Sequence, residues 1–148
     1  ASYDEQDWIV RRTIERATES HGIEPERVVL VGFSQGATVA IRHAMKFPER
    51  VDGVVSVAGL YNPELMPFNR FKEGVPLPRF SLLIGSDDPN VRTMREAKTA
   101  LESRDAAVRL EVYKGLGHAH PENTEAELAT ALRFVLRETE TNKDIDAR

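Results

Sequence analysis

A chain of 148 residues, 41% of them apolar and 30% charged, holds enough material for one ordinary soluble domain with a hydrophobic core. Its formal charge of −4 argues against nucleic acid or an anionic membrane as the main partner, since both reward clustered Lys and Arg. It contains no cysteine, so it has no disulfide framework, Cys nucleophile or thiolate metal site, and the redox compartment is left unread.

Strand-like and helix-like segments alternate along the chain, with no internal repeat and no low-complexity linker. Asp4 to Ser20 reads as a helix, with Val10, Ile14 and Ala17 at i, i+4 and i+7 forming one apolar stripe. His21-Gly22 supplies its C-terminal stop. Val28 to Val31 follows as a continuously apolar strand, the pattern of a parallel strand covered on both faces. Gln35 to Lys46 is a second helix, ended before Phe47-Pro48 because proline disfavours helical geometry in the residue ahead of it.

Val51 to Ala58 reads as the second strand, and Leu82 to Ile84 lies in a third that is again continuously apolar. Asn90 to Ser103 is a helix with Val91, Met94, Ala97 and Leu101 on one face. Val108 to Tyr113 alternates Val, Leu, Val against Arg, Glu, Tyr, which predicts an edge strand with one open face. Glu122 to Arg137 is the last helix, striped by Leu128, Leu132 and Val135. This order belongs to the α/β class, a mostly parallel sheet flanked by helices. The polar tail from Glu138 to Arg148 lacks periodicity and reads as disordered. The longest apolar stretches are strand-sized, far below the roughly 20 residues needed to span a bilayer. That favours a soluble, cytoplasmic chain and leaves secretion open.

The chemistry concentrates at Gly32-Phe33-Ser34-Gln35-Gly36, between the first strand and a helix rich in small apolar residues. In that context a G-x-S-x-G turn strains the serine backbone and projects its hydroxyl above the sheet. Gly32 and Gly36 leave room for strand and helix to approach each other. The helix opening at Gln35 adds free backbone N–H groups where an oxyanion would form. Carboxylates follow the third strand in Gly85-Ser86-Asp87-Asp88-Pro89-Asn90-Val91, and histidines follow the fourth in Gly115-Leu116-Gly117-His118-Ala119-His120-Pro121. Loops beyond the carboxyl ends of parallel strands share one edge, so Ser, Asp and His can meet there.

Trp8 to Leu136 resembles the C-terminal two-thirds of the carboxylesterase and phospholipase branch of the α/β-hydrolase superfamily. Members show G-F-S-Q-G at the nucleophile, G-x-x-D-x-x-V at the acid and G-x-G-H at the base. The resemblance implies a partial α/β-hydrolase fold over residues 1–137, with Ser34 as nucleophile, Asp88 as acid and His118 as base. It also implies the Gln35 backbone N–H as one oxyanion donor, a small ester or thioester as substrate, and no cofactor. The family's early strands, and the loop bearing its second oxyanion donor, have no counterpart in these residues. The reading favoured is a fragment of a longer chain; a second polypeptide or a reduced sheet are the alternatives.

Each assignment has a rival. Asp87 is the alternative acid, with Asp88 preferred on spacing and Asp87 then a loop or cap carboxylate. His120 is the alternative base, although Pro121 after it suits the start of the last helix better. His118 and His120 with Asp87 or Asp88 form a weak metal pattern without a third defined ligand. His43, inside a helix, and His21, at a helix end, read as structural or solvated. Gly59 to Pro78 holds Leu60, Tyr61, Leu65, Met66, Phe68, Phe71 and Leu77 among four prolines. It reads either as an acyl-pocket wall or small lid, or as a surface crossing packed on the core or a patch that covers the missing half of the fold. A non-catalytic domain that keeps these groups to bind a partner or ligand is the alternative to a serine hydrolase.

Overall fold

The computed structural model describes residues 2–22, 24–66 and 74–137. Helix α1 spans Tyr3–His21 and opens on a reciprocal cap: Ser2 Oγ accepts from the Glu5 N–H, and the Glu5 carboxylate accepts from the Ser2 N–H. Gly22, at φ 66°, closes it in the left-handed conformation. Then come β1 (Val29–Phe33), α2 (Gln35–Lys46), a 3-10 turn at Pro48–Arg50, and β2 (Gly53–Val57). The described chain continues with β3 (Arg79–Gly85), α3 (Val91–Glu102), β4 (Val108–Tyr113) and α4 (Thr124–Val135). Each expected helix and strand is present, with ends shifted by a few residues.

The four strands form one parallel sheet in the order β1-β2-β3-β4, with Val29 opposite Gly53, Gly53 opposite Arg79, and Phe80 opposite Val108. Successive side chains point to opposite faces, which divides the core in two. On one face α2 and α3 place Ile41, Met45, Met94 and Leu101 against Val54, Phe80, Leu82 and Ile84. On the other, Ala131 and Val135 of α4 cover Val55, Val57 and Leu83. Burying each larger apolar side chain removes it from water at a gain of about 1.5–3 kcal/mol, so β2 and β3, buried almost throughout, anchor the sheet.

The edge strands depart from their sequence patterns in an instructive way. β1 is covered by α2 on one face only. On the other face α4 reaches Val29 and stops, leaving Val31 and Phe33 52% and 38% exposed. β4 lies at the opposite edge, as its alternation predicts, yet neither face is open. Val108, Leu110 and Val112 pack on the α2/α3 core, while Arg109 pairs with Glu111 at 3.1 Å and the Tyr113 hydroxyl donates to Glu127 at 2.6 Å.

Helix α1 also docks differently from its pattern. Val10 and Ile14 are half-buried and Ala17 is exposed, whereas Asp7 is the residue taken out of water. It accepts from Arg42 at 2.8 Å, Lys46 at 2.9 Å and His43 Nδ1 at 3.0 Å, all on α2. Charge pairing, rather than an apolar stripe, fixes α1 to α2. The described part of the Gly59–Pro78 segment joins the core beneath α2 and α3, with Tyr61 and Met66 buried and Leu77 packed beside them. Phe68 and Phe71, and the tail from Glu138, lie outside the described residues. Among the described residues no helix is long and apolar enough to cross a membrane.

Candidate active site

The turn between β1 and α2 is built by close approach and by strain. A Cβ on Gly32 would fall 2.4 Å from the carbonyl carbon and oxygen of Gly36, so only glycine lets the strand run this close to the helix it feeds. Gly36 itself, expected to serve the same purpose, has open space where a Cβ would project. Ser34 adopts φ 54°, ψ −120°, a region non-glycine residues rarely occupy and that costs about 1–3 kcal/mol. The surrounding backbone holds it there: the Ser34 N–H donates to Val57 O at 2.8 Å and its carbonyl accepts from the Thr38 N–H at 3.2 Å.

Ser34 occupies the N-cap position of α2, but its hydroxyl does not cap the helix. It points to His118 instead. Gln35 is the first residue of α2, and its N–H is among those left without an intrahelical acceptor. No acidic residue sits in that first turn, so the positive end of the helix dipole is unopposed beside the hydroxyl.

Asp88 is held just beyond β3. Its Oδ1 accepts from the Asn90 N–H at 2.8 Å, a local turn that fixes the carboxylate before α3 begins. The carboxylate is buried, and Oδ2 lies 2.7 Å from His118 Nδ1. His118 Nε2 lies 2.8 Å from Ser34 Oγ. With the proton on Nδ1, accepted by the carboxylate, Nε2 is free to accept from the serine hydroxyl. Ser34, His118 and Asp88 therefore form one hydrogen-bonded line at the carboxyl edge of β1, β3 and β4.

The rival residues stand elsewhere. Asp87 is exposed, accepts from Ser86 Oγ at 2.9 Å, and uses its N–H on Leu116 O. His120 is exposed and stacks on Phe33 rather than reaching Ser34. His43 is buried against Asp7, and His21 sits exposed at the end of α1. Among the described residues no three His, Asp or Glu side chains converge as metal ligands. Two features had no sequence signal. Ser86 Oγ accepts from the Gly115 N–H at 2.8 Å, tying the loop of Asp88 to the loop of His118, and the Phe33–His120 stack ties the latter to β1.

Residues 4–136 match the model of the phospholipase and carboxylesterase family. This chain belongs to that family. Its four-stranded parallel sheet with flanking helices is an α/β-hydrolase fold, similar to the crystal structure of esterase PE8 at a TM-score of 0.74 and 23% identity. That match covers 90% of this chain and 62% of the other. Arabidopsis thaliana SOBER1 is similar at a TM-score of 0.72 and 20% identity, covering 92% and 65%.

Curated relatives of this phospholipase/carboxylesterase-family chain include two kinds of named hydrolase. One, from Aquifex aeolicus and provisionally named a carboxymethylenebutenolidase, is 33% identical over 118 residues, covering 78% of this chain and 49% of the relative. Acyl-protein thioesterase 1 of Saccharomyces cerevisiae is 26% identical over 129 residues, covering 84% and 56%. The chain thus spans about half the length of the curated relatives it matches.

Proposed function

We propose that this chain carries the catalytic groups of a serine hydrolase that cleaves small carboxylic esters and thioesters. The observation behind the reading is the single line of contacts at 2.7 Å and 2.8 Å joining Asp88, His118 and Ser34. Family membership and the thioesterase among the relatives support the substrate class.

A serine hydroxyl is a poor nucleophile until a base removes its proton during attack. His118 takes that proton as Ser34 Oγ bonds to the substrate carbonyl carbon. The carbonyl oxygen becomes an oxyanion, stabilised by the Gln35 N–H and the positive end of α2. Asp88 keeps the Nδ1 proton in place and stabilises the imidazolium. His118 then delivers its proton to the departing alkoxide or thiolate, leaving an acyl-serine. Water, deprotonated by His118, attacks the acyl carbon; the acid is released and the proton returns to Ser34.

Turnover of p-nitrophenyl acetate and of an acyl thioester, each compared with the Ser34→Ala variant, tests this reading. Hydrolysis that survives the substitution would reject it. A second reading, a binding domain that keeps these groups without turnover, draws on the apolar face left open at Val31 and Phe33. A further polypeptide segment or a second chain would cover that face, and binding without turnover would then be observed.

A further inference from the structure

The loop carrying His118 is anchored unevenly. Its root is pinned to the end of β3: the Gly115 N–H donates to Ser86 Oγ at 2.8 Å, and the Asp87 N–H donates to Leu116 O at 2.9 Å. Its far end is anchored by the buried Pro121, whose carbonyl accepts from Thr124 Oγ1 as α4 begins. Between these points residues 118–120 are exposed, and the backbone bond described there, Ala119 N to Gly117 O, stays within the loop. The tip is held through side chains.

Two of those side chains flank one ring. Phe33, the last residue of β1 and the neighbour of Ser34, lies nearly parallel to His120, with centroids 4.3 Å apart and planes at 19°. The same ring stands 5.5 Å from His118, tilted by 46°. Phe33 is fixed by the sheet, where it sits opposite Val57. A ring clamped to β1 therefore supports the base from below and grips the residue two positions beyond it. Stacked ring pairs are favourable contacts, so moving the tip of the loop off Phe33, and His118 Nε2 away from Ser34 Oγ with it, has a cost.

We propose that Phe33 and His120 are a positioning pair for the base: their stack holds the tip of the loop so that His118 stays within proton-transfer distance of Ser34. Neither residue touches the reacting atoms in this role. The inference rests on the assignment of Ser34 and His118 above, and a misplacement near 1 Å can cost on the order of 10²-fold in rate.

The test measures p-nitrophenyl acetate kinetics together with the rate of fluorophosphonate labelling at Ser34. His120→Ala should lower kcat and the labelling rate by about 10- to 100-fold while KM stays within about two-fold. His120→Phe, which keeps a flat ring, should restore both. Phe33→Leu keeps apolar bulk on the strand but removes the ring from both histidines, so it should show at least the same loss. The double variant Phe33→Leu/His120→Ala should be no worse than Phe33→Leu alone, because that change already removes the stack that His120→Ala removes.

Wild-type kcat and labelling in His120→Ala would overturn the proposal. So would a change confined to KM, which marks a substrate wall, or a failure of His120→Phe to rescue, which marks chemistry of the imidazole. Losses that add in the double variant would overturn it as well. A folded wild-type protein unlabelled at Ser34 would instead remove the underlying assignment, and the proposal with it.

Discussion

Gly85 passes so close beneath Leu116 that a Cβ on it would fall 1.9 Å from the Leu116 carbonyl oxygen. The end of β3 and the loop carrying His118 are in backbone contact, and the missing side chain is what allows it. Gly85→Ala must lift the loop or bend the strand. We expect a loss of about 2 kcal/mol or more in stability, as for overpacking a tight site. Under the proposed function turnover should fall with it, by on the order of 10²-fold, because His118 moves with the loop. Thermal unfolding and ester kinetics check the two effects.

Gly36→Ala supplies the contrast. A Cβ at Gly36 meets no heavy atom within 4 Å, and the residue lies in the first turn of α2. Alanine there should leave stability unchanged or raise it by roughly 0.5–1 kcal/mol, since it restricts the unfolded chain without a clash. A large loss of Tm in this variant would contradict the packing described around the turn.

The two neighbouring carboxylates should respond very differently. Asp88→Asn removes the acceptor that fixes the His118 tautomer, and kcat should drop by roughly 10⁴-fold. Asp87, whose carboxylate accepts only the Ser86 hydroxyl among the contacts described, should tolerate Asn with at most a several-fold change. Steady-state kinetics on the two variants decide between them, and a reversed order would exchange their roles.

The pairing of α1 with α2 predicts an acid-sensitive fold. Burial alone would raise the Asp7 carboxyl, but hydrogen bonds from Lys46, His43 and Arg42 outweigh it and hold the group below its ordinary 3.8. Its contribution is therefore present above that value and lost as pH falls through the folded one. His43 is held below its ordinary 6.5, chiefly by burial and against the pull of Asp7. His43 Nε2 is buried without a hydrogen-bond partner, so a second ring proton would have nowhere to go. The unfolded chain gains a proton there before the fold does, and stability falls from about pH 6.5 downward. Urea unfolding between about pH 7 and 5 should show a shallower decline for His43→Gln than for the wild type. Asp7→Ala, which strands three donors, should cost about 3–5 kcal/mol.

Much of this architecture is written locally. The run Val28–Val31, the turn at Ser34 and the small-residue helix after it announce a strand, a tight turn and a helix in order, and the structure builds them so. The Asp and His loops are legible because each follows an apolar strand, and parallel strands deliver such loops to one edge. What the sequence conceals is what covers each surface. Val31 and Phe33 belong to a fully apolar run, but the covering of β1 depends on how far α4 reaches, a property of packing rather than pattern. Asp7 looks like a solvated helix residue until three donors on α2, 35 to 39 residues further along the chain, converge on it. Likewise the G-x-G-H pattern and Pro121 favour His118 over His120 as the base, but the sequence gives His120 no partner, whereas in three dimensions His118 meets Asp88 and His120 meets Phe33.

The most direct test of the central claim is fluorophosphonate labelling of the folded protein, with the adduct located by mass spectrometry. The account predicts one adduct, on Ser34, absent in Ser34→Ala and strongly slowed in His118→Ala. An adduct at another serine, or none on the folded wild type, would contradict the assignment of Ser34 as an activated nucleophile.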